Sequence, residues 1–264
     1  MLKNLFENQD ILTKHILQML DTKINNKIFP DKTLRFSGAA AVMLLIGQLP
    51  ETNRFEPCFI LNKRSLKVKQ PGDICCPGGG IEPQIDHFLS GLLSLKFLPL
   101  ARWPFWQHWQ TARSAESKQL SLVFAAALRE GFEEMGINPL GVKFLGPLGP
   151  EYIVISKREI FPVAGWILRQ KRFFPNREVE KIIYIPIRNL LSSSYYARHE
   201  IQIHSNKNKI SMHVPCFRHE SELLWGATYR IVMRFLELVF EFKPPEPESL
   251  PLVTGILDNT FYHE

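Results

Sequence analysis

Apolar and polar positions alternate with two different periods along the chain. Leu2, Leu5, Phe6, Ile11, Leu12, Ile16, Leu17, Leu20 and Ile24 fall on one helical stripe, so residues 1–27 read as an amphipathic helix packed on the domain. Phe36–Ile46 (FSGAAAVMLLI) and Cys58–Leu61 (CFIL) are short apolar runs separated by turn-forming residues, which predicts two buried strands joined as a hairpin. A strand-like segment, Asp73–Cys76 (DICC), runs into the low-bulk turn Pro77-Gly78-Gly79-Gly80, where backbone can approach a ligand closely. Helical periodicity returns in Ala125–Ile137 (AAALREGFEEMGI), with Gly136 placed to close the helix and Pro139 to stop it restarting. Val142–Leu148, Ile153–Ile155, Ile160–Leu168 and Ile182–Ile187 read as further strands. Residues 192–213 are polar and read as a loop with a weak strand, whereas Glu222–Leu238 reads as a last helix with Trp225 and Ile231 in the core.

Composition narrows the picture modestly. A chain of 264 residues is enough for one domain with decorations. Its net charge of +6 favours anionic ligands, but the RQKR run at Arg169–Arg172 is too short to argue for nucleic acid. Cys58, Cys75, Cys76 and Cys216 form no C-x-x-C pair and read as buried free thiols. His199, His204, His213 and His219 lack zinc-type spacing and read as surface or loop residues. Lys3, Glu7 and Asp10 interrupt the first apolar pattern, so no secretory signal is expected. The longest apolar stretches, Ala39–Ile46 and Phe88–Ala101, are shorter than the roughly 20 residues a bilayer needs, so the expectation is a cytoplasmic protein without a transmembrane segment.

The chemistry concentrates in one helix. Arg129, Glu130, Glu133 and Glu134 put Glu130 one turn from both later glutamates, and Arg129 one turn from Glu133. Carboxylates packed this closely repel, so a helix built only for stability would avoid them, although an exposed acidic face with Arg129 as counterion is the plainer alternative. A hard divalent cation such as Mg²⁺ converts the repulsion into coordination and takes part of its shell from substrate phosphates.

Arg-Glu-x-x-Glu-Glu-x-Gly-aliphatic resembles the second half of the Nudix box, and Pro77-Gly78-Gly79 resembles its opening. With Gly80 and Asp86 taken as the register of the first half, Asp86 and Arg129 are 43 positions apart where the box has eight. About 35 residues, roughly His87 to Lys118, are therefore inserted between the halves. Leu61–Gly79 further resembles the signature of the coenzyme A pyrophosphatases: Arg64-Ser65, Gly72 and Pro77-Gly78-Gly79 fall on it. Asn62 stands in place of its threonine, Cys76 in place of its phenylalanine, and Lys67 or Lys69 in place of its second arginine. Phe161–Gly165 (FPVAG) and Leu224–Ile231 (LWGATYRI) resemble two further segments of that group.

The resemblance implies a Nudix fold of the α+β class, a mixed β-sheet between helices in an α/β/α sandwich, which agrees with the order of strands and helices above. It implies diphosphate hydrolysis with Mg²⁺ or Mn²⁺ held by Glu130, Glu133, Glu134 and the backbone of Gly79. Arg129 would orient a carboxylate, and Glu178 or Glu180 would add a ligand or base unless they are solvated loop carboxylates. Arg64, Lys63, Lys67 and Lys69, with Gly78 and Gly80, would meet phosphates of a small-molecule nucleotide such as coenzyme A. An ADP-ribose or NADH pyrophosphatase, or a lapsed domain that binds a nucleotide or partner, are the alternatives. Arg129, Glu130, Glu133 and Glu134 together argue against lapse, whereas Gly131, where the box has an aliphatic residue, and the split box argue for it.

The expected organisation is a helical extension at 1–34, a Nudix domain at 35–243 with the insert, and a tail at 244–264. Phe88–Leu100 is strongly apolar, and Arg102–Trp109 holds three of the five tryptophans. That insert is a satellite core, a lid or homodimer surface, or a membrane-surface patch. A homodimer would form through it or through the N-terminal helix.

Overall fold

A computed structural model describes residues 2–24, 28–29, 38–153, 158–205 and 208–253. The expected strand positions 36–37 and 154–155, the domain start at 35, part of the stretch 1–34 and the tail 254–264 lie outside the described residues.

The chain opens with α1 (Leu2–Leu5) and α2 (Gln9–Lys23). Four strands follow: β1 (Ala40–Gln48), β2 (Pro57–Arg64), β3 (Ile74–Cys75) and β4 (Gly78–Gly80). Three consecutive helices come next, α3 (Pro83–Leu93), α4 (Trp106–Ala112) and α5 (Ser114–Met135). The next strands are β5 (Val142–Pro147), β6 (Glu151–Ile153), β7 (Arg158–Ile167) and β8 (Val179–Pro186). The chain continues through α6 (Ile187–Leu190), β9 (Tyr196–Ser205), β10 (Asn208–His219), β11 (Glu222–Leu224), α7 (Gly226–Phe240) and β12 (Leu252–Val253).

The main sheet runs β3-β2-β1-β7-β5, with β4 on β1, β6 on β7 and β8 on β2. It is mixed: β1 and β7 are parallel, whereas β1 and β2 form the expected antiparallel hairpin, with Ile46 opposite Phe59. Helix α5 packs on β1, β4 and β7. On β2, Asn62 reaches α5, whereas Phe59 meets Phe235 of α7 edge-on at 5.3 Å. Side chains three positions apart on a strand face opposite ways, so α5 and α7 cover opposite faces of the sheet. The expected α+β sandwich is what forms.

Helix α2 buries Leu12, Ile16, Leu17 and Leu20 against β5 and α7, so the face offered for a homodimer contact is used within the chain. The insert turns its tryptophans inward and leaves Phe88, Leu95 and Phe97 exposed. Trp103, Trp106 and Trp109 are buried, and Trp103 meets Phe144 of the main sheet edge-on at 5.0 Å. Of the three readings of the insert, the tryptophans follow the satellite core. Helix α5 begins at Ser114, so the last five residues of the expected insert are its first turns, anchored where Ile28 N–H donates to Glu116 at 3.0 Å.

Residues 196–205 and 208–213 are strand, where a loop with a weak strand was expected. Strands β9 and β10 form a long antiparallel hairpin, and with β11 and β12 they build a second sheet of order β11-β10-β9-β12. Their polar positions keep mean hydropathy low, which hid strands that bury Tyr196 and Phe217 on one face and Ala197, Ile201 and Cys216 on the other. The helix expected from Glu222 starts at Gly226, because Glu222–Leu224 pairs with β10. His199 is buried against Trp225, contrary to the surface reading; His213 is exposed, His219 half-buried, and the His204 side chain lies outside the described residues. All four cysteines are free, with Cys58, Cys76 and Cys216 buried and Cys75 half-buried. Among the described residues no helix is long and apolar enough to cross a membrane.

Candidate active site

The last two turns of α5 lie beside the glycine strand β4. Gly136 ends the helix in the left-handed region at φ 65°, and its N–H donates to the Phe132 carbonyl at 2.9 Å. Gly131 is explained by packing: a Cβ there would sit 2.8 Å from Ile137 Cδ1, so Ile137 fills the space an aliphatic side chain would take.

Arg129 joins the two halves of the interrupted motif. Its Nε donates to Asp86 Oδ1 at 2.8 Å and its Nη2 to Asp86 Oδ2 at 3.1 Å, across 43 positions of sequence. Both partners are buried, and Asp86 also accepts the Glu82 N–H at 2.7 Å. The same guanidinium donates to the Gly80 carbonyl at 2.9 Å, to Glu130 at 3.0 Å and to Glu133 at 3.4 Å. Those hydrogen bonds hold its proton more tightly than in an ordinary arginine. Arg129 thus fixes the loop, the glycine strand and two carboxylates with one planar group.

The glycines admit this closeness. Gly78 has φ 147°, and a Cβ there would fall 2.3 Å from the Ala41 carbonyl oxygen. A Cβ on Gly79 would fall 2.5 Å from Cδ of Glu130, so that carboxylate rests directly on the glycine backbone. Gly78 N–H donates to Glu134 Oε2 at 3.1 Å, and Asn62 Nδ2 donates to the same oxygen at 2.9 Å. Burial pushes the Glu134 carboxyl up to about 7, against these bonds. Burial also raises Glu130, opposed by Arg129. Glu133 is half exposed.

The three carboxylates supply the all-oxygen donors that a hard divalent ion takes, and Glu130 lies against a glycine that a side chain would block. Among the described residues no such set is already gathered around one point, because Arg129 holds Glu130 and Glu133 while Asn62 and Gly78 hold Glu134. The residues fit a divalent metal by chemistry and by helical spacing, with Arg129 as their counterion in its absence.

The basic residues separate. Lys63 points away from α5, to Glu222 at 3.0 Å and Glu180 at 3.4 Å. Arg64 lies near enough to Glu134 to lower its carboxyl, while its Nε donates to the Lys69 carbonyl at 2.7 Å and ties the 64–73 loop. Lys67 and Lys69 are exposed on that loop. Gly78 and Gly80 spend their N–H and carbonyl on Glu134 and Arg129, so those groups serve the protein rather than a ligand. Glu180 is taken up by Lys63, and the exposed Glu178 side chain makes no bond to the α5 carboxylates among the described residues.

Three further polar groups belong to this neighbourhood. Asp73 accepts the Trp225 indole N–H at 3.0 Å, and burial pushes its carboxyl up to about 7. Burial raises the Glu222 carboxyl, but bonds from Lys181 and Lys63 outweigh that and hold it below the usual range. Asn62 is buried inside β2. Of these, only Asn62 stood out in the sequence, where it takes the place of a threonine in the resembled signature.

No family model matches the chain. A protein of Pectobacterium atrosepticum named uncharacterized Nudix hydrolase NudL is 29% identical over 111 residues, 42% of this chain, and the chain spans only 55% of that relative. A protein of the same name from an Enterobacter species is 26% identical over 74% of this chain and 82% of its own length. The mouse peroxisomal coenzyme A diphosphatase NUDT7 is 27% identical over 76% of this chain and 71% of its own. Among solved structures, a MutT/nudix family protein from Enterococcus faecalis covers 92% of this chain and 78% of its own at 11% identity and a TM-score of 0.42. The sequence similarities bear out the resemblance to Nudix hydrolases and to the coenzyme A diphosphatase group.

Proposed function

We propose that this protein is a divalent-metal-dependent Nudix hydrolase that cleaves the diphosphate of coenzyme A or a CoA derivative, giving 3′,5′-ADP and 4′-phosphopantetheine or its acyl form. The observation that carries the reading is the Arg129–Asp86 pair, which closes the interrupted motif beside Glu130 and Glu134 on the glycine strand and Glu133 on Arg129 itself. Similarity to the mouse coenzyme A diphosphatase supports the substrate class.

Mg²⁺ or Mn²⁺ held by Glu130, Glu133, Glu134 and the Gly79 backbone would supply the positive charge that a diphosphate needs for attack by water. The chain's own residues do the positioning. Arg129 orients Glu130 and Glu133 and holds the glycine strand at a fixed distance from α5. Arg64, on the α5 side, meets a ligand phosphate, and its loop brings Lys67 and Lys69 as mobile point charges. Lys63 holds β2 to the second sheet through Glu222 instead.

Purified protein offered coenzyme A, ADP-ribose and NADH in parallel with Mg²⁺ or Mn²⁺ tests this. Preferential cleavage of coenzyme A is the expected result. Preference for ADP-ribose or NADH would keep the chemistry and discard the substrate, and binding without turnover would leave a nucleotide-binding module.

A further inference from the structure

Asn62 is a fully buried polar side chain at the end of the apolar run Cys58–Leu61, at the position where the resembled signature carries threonine. With the Cys75 thiol on its oxygen, the Asn62 nitrogen faces Glu134, at 2.9 Å. The Asn62 oxygen in turn accepts from the Cys75 thiol on the adjacent strand, where Asn62 and Cys75 are paired. Both donors to Glu134, Asn62 Nδ2 and Gly78 N–H, converge on Oε2. Among the described residues Oε1 receives none.

We propose that Asn62 is a positioning residue that locks Glu134 in one rotamer, with Oε2 held by the protein and Oε1 presented to the metal, and that Cys75 keeps the Asn62 amide turned the right way. The inference rests on the reading of Glu134 as a metal ligand. A carboxylate held by two fixed donors gives up little freedom on coordination, whereas one released from Asn62 must be ordered as the ion binds. Cys75 acts only through Asn62, so its removal reproduces the same change in weaker form.

Mn²⁺ titration followed by electron paramagnetic resonance reads the effect without turnover. Asn62→Ala should weaken Mn²⁺ binding about tenfold, and Cys75→Ala by less. Asn62→Thr, whose hydroxyl can donate to Glu134, should recover part of the loss. With coenzyme A as substrate, kcat should fall with Mn²⁺ affinity while KM stays within about twofold, a split that general loosening of the core does not produce. Circular dichroism melts identify variants that fail to fold, and Asn62→Thr and Cys75→Ala provide milder changes at the same link. Folded Asn62→Ala that keeps wild-type Mn²⁺ affinity overturns the proposal. Wild-type protein that binds no Mn²⁺ overturns both it and the proposed function. If Mn²⁺ binds but no diphosphate is split, only the functional reading fails, and a weakened Asn62→Ala still supports the clamp.

Discussion

Strand β2 shows opposite uses of charge on its two faces. Toward α5, Asn62 grips Glu134 and Arg64 stands within electrostatic reach of it. Toward α7, Lys63 lies directly across from Lys181 of β8, and this like-charge pair is relieved by Glu222, which accepts from both at 3.0 and 2.8 Å. One face holds an α5 carboxylate, and the other fastens the main sheet to the second. Lys63 and Arg64 are sequence neighbours with unrelated jobs, and the β2–β8 register breaks between them. A basic run in a strand therefore cannot be assigned to a ligand as a block.

The largest effect should come from breaking the buried pair on which the α5 side depends. Asp86→Ala leaves the Arg129 guanidinium buried without its main partner, and urea unfolding should show a loss of about 3–5 kcal/mol. Little change would mean that Arg129 swings out to solvent and that Asp86 does not fix the loop. Next comes Glu134→Gln, which keeps shape but removes a charge. We expect turnover to fall at least about a hundredfold, roughly 2.7 kcal/mol, with melting temperature unchanged or raised because a raised-pKa carboxyl is removed.

The two faces are compared most directly by Arg64→Ala and Lys63→Ala. The first should cost on the order of tenfold in kcat/KM through KM, with stability nearly intact. The second should leave KM alone and cost under about 1 kcal/mol of stability, since Glu222 retains Lys181. Reversed outcomes in steady-state assays and melts would invert the assignment of the faces.

The smallest effect is a pH signature. Asp73 has a folded pKa near 7, above its unfolded value, so its contribution to stability is present at low pH and is lost as pH rises from about 4 to 7. Glu222 has a lowered folded pKa, so it stabilises above its unfolded value and loses that contribution as pH falls through the folded one. Melts of Asp73→Asn between pH 5 and 8 should show a shallower decline with pH than the wild type, by at most about 1.4 kcal/mol per unit. Parallel curves would remove Asp73 from the account.

Much of the site was legible because it is local. Arg129, Glu130, Glu133 and Glu134 share a few helical turns, and the glycines announce close backbone approach. The motif register picked out Asp86 and Arg129 separately, but their pairing was not legible, since nothing local links positions 43 apart. Asp73 and Glu222 escaped because their partners, Trp225 and Lys63, come from distant strands and loops. The β9–β10 pair escaped because its many polar positions gave no apolar run, and α5 began early because Ser114–Lys118 carry an N-terminal turn rather than an apolar stripe.

The most direct test of the central claim is product analysis of coenzyme A incubated with this protein across a Mn²⁺ titration, beside the Glu130→Gln/Glu134→Gln double variant. The account predicts 3′,5′-ADP and 4′-phosphopantetheine in metal-dependent amounts from the wild type and neither from the variant. Equal product formation in excess chelator, or by the variant, would contradict it.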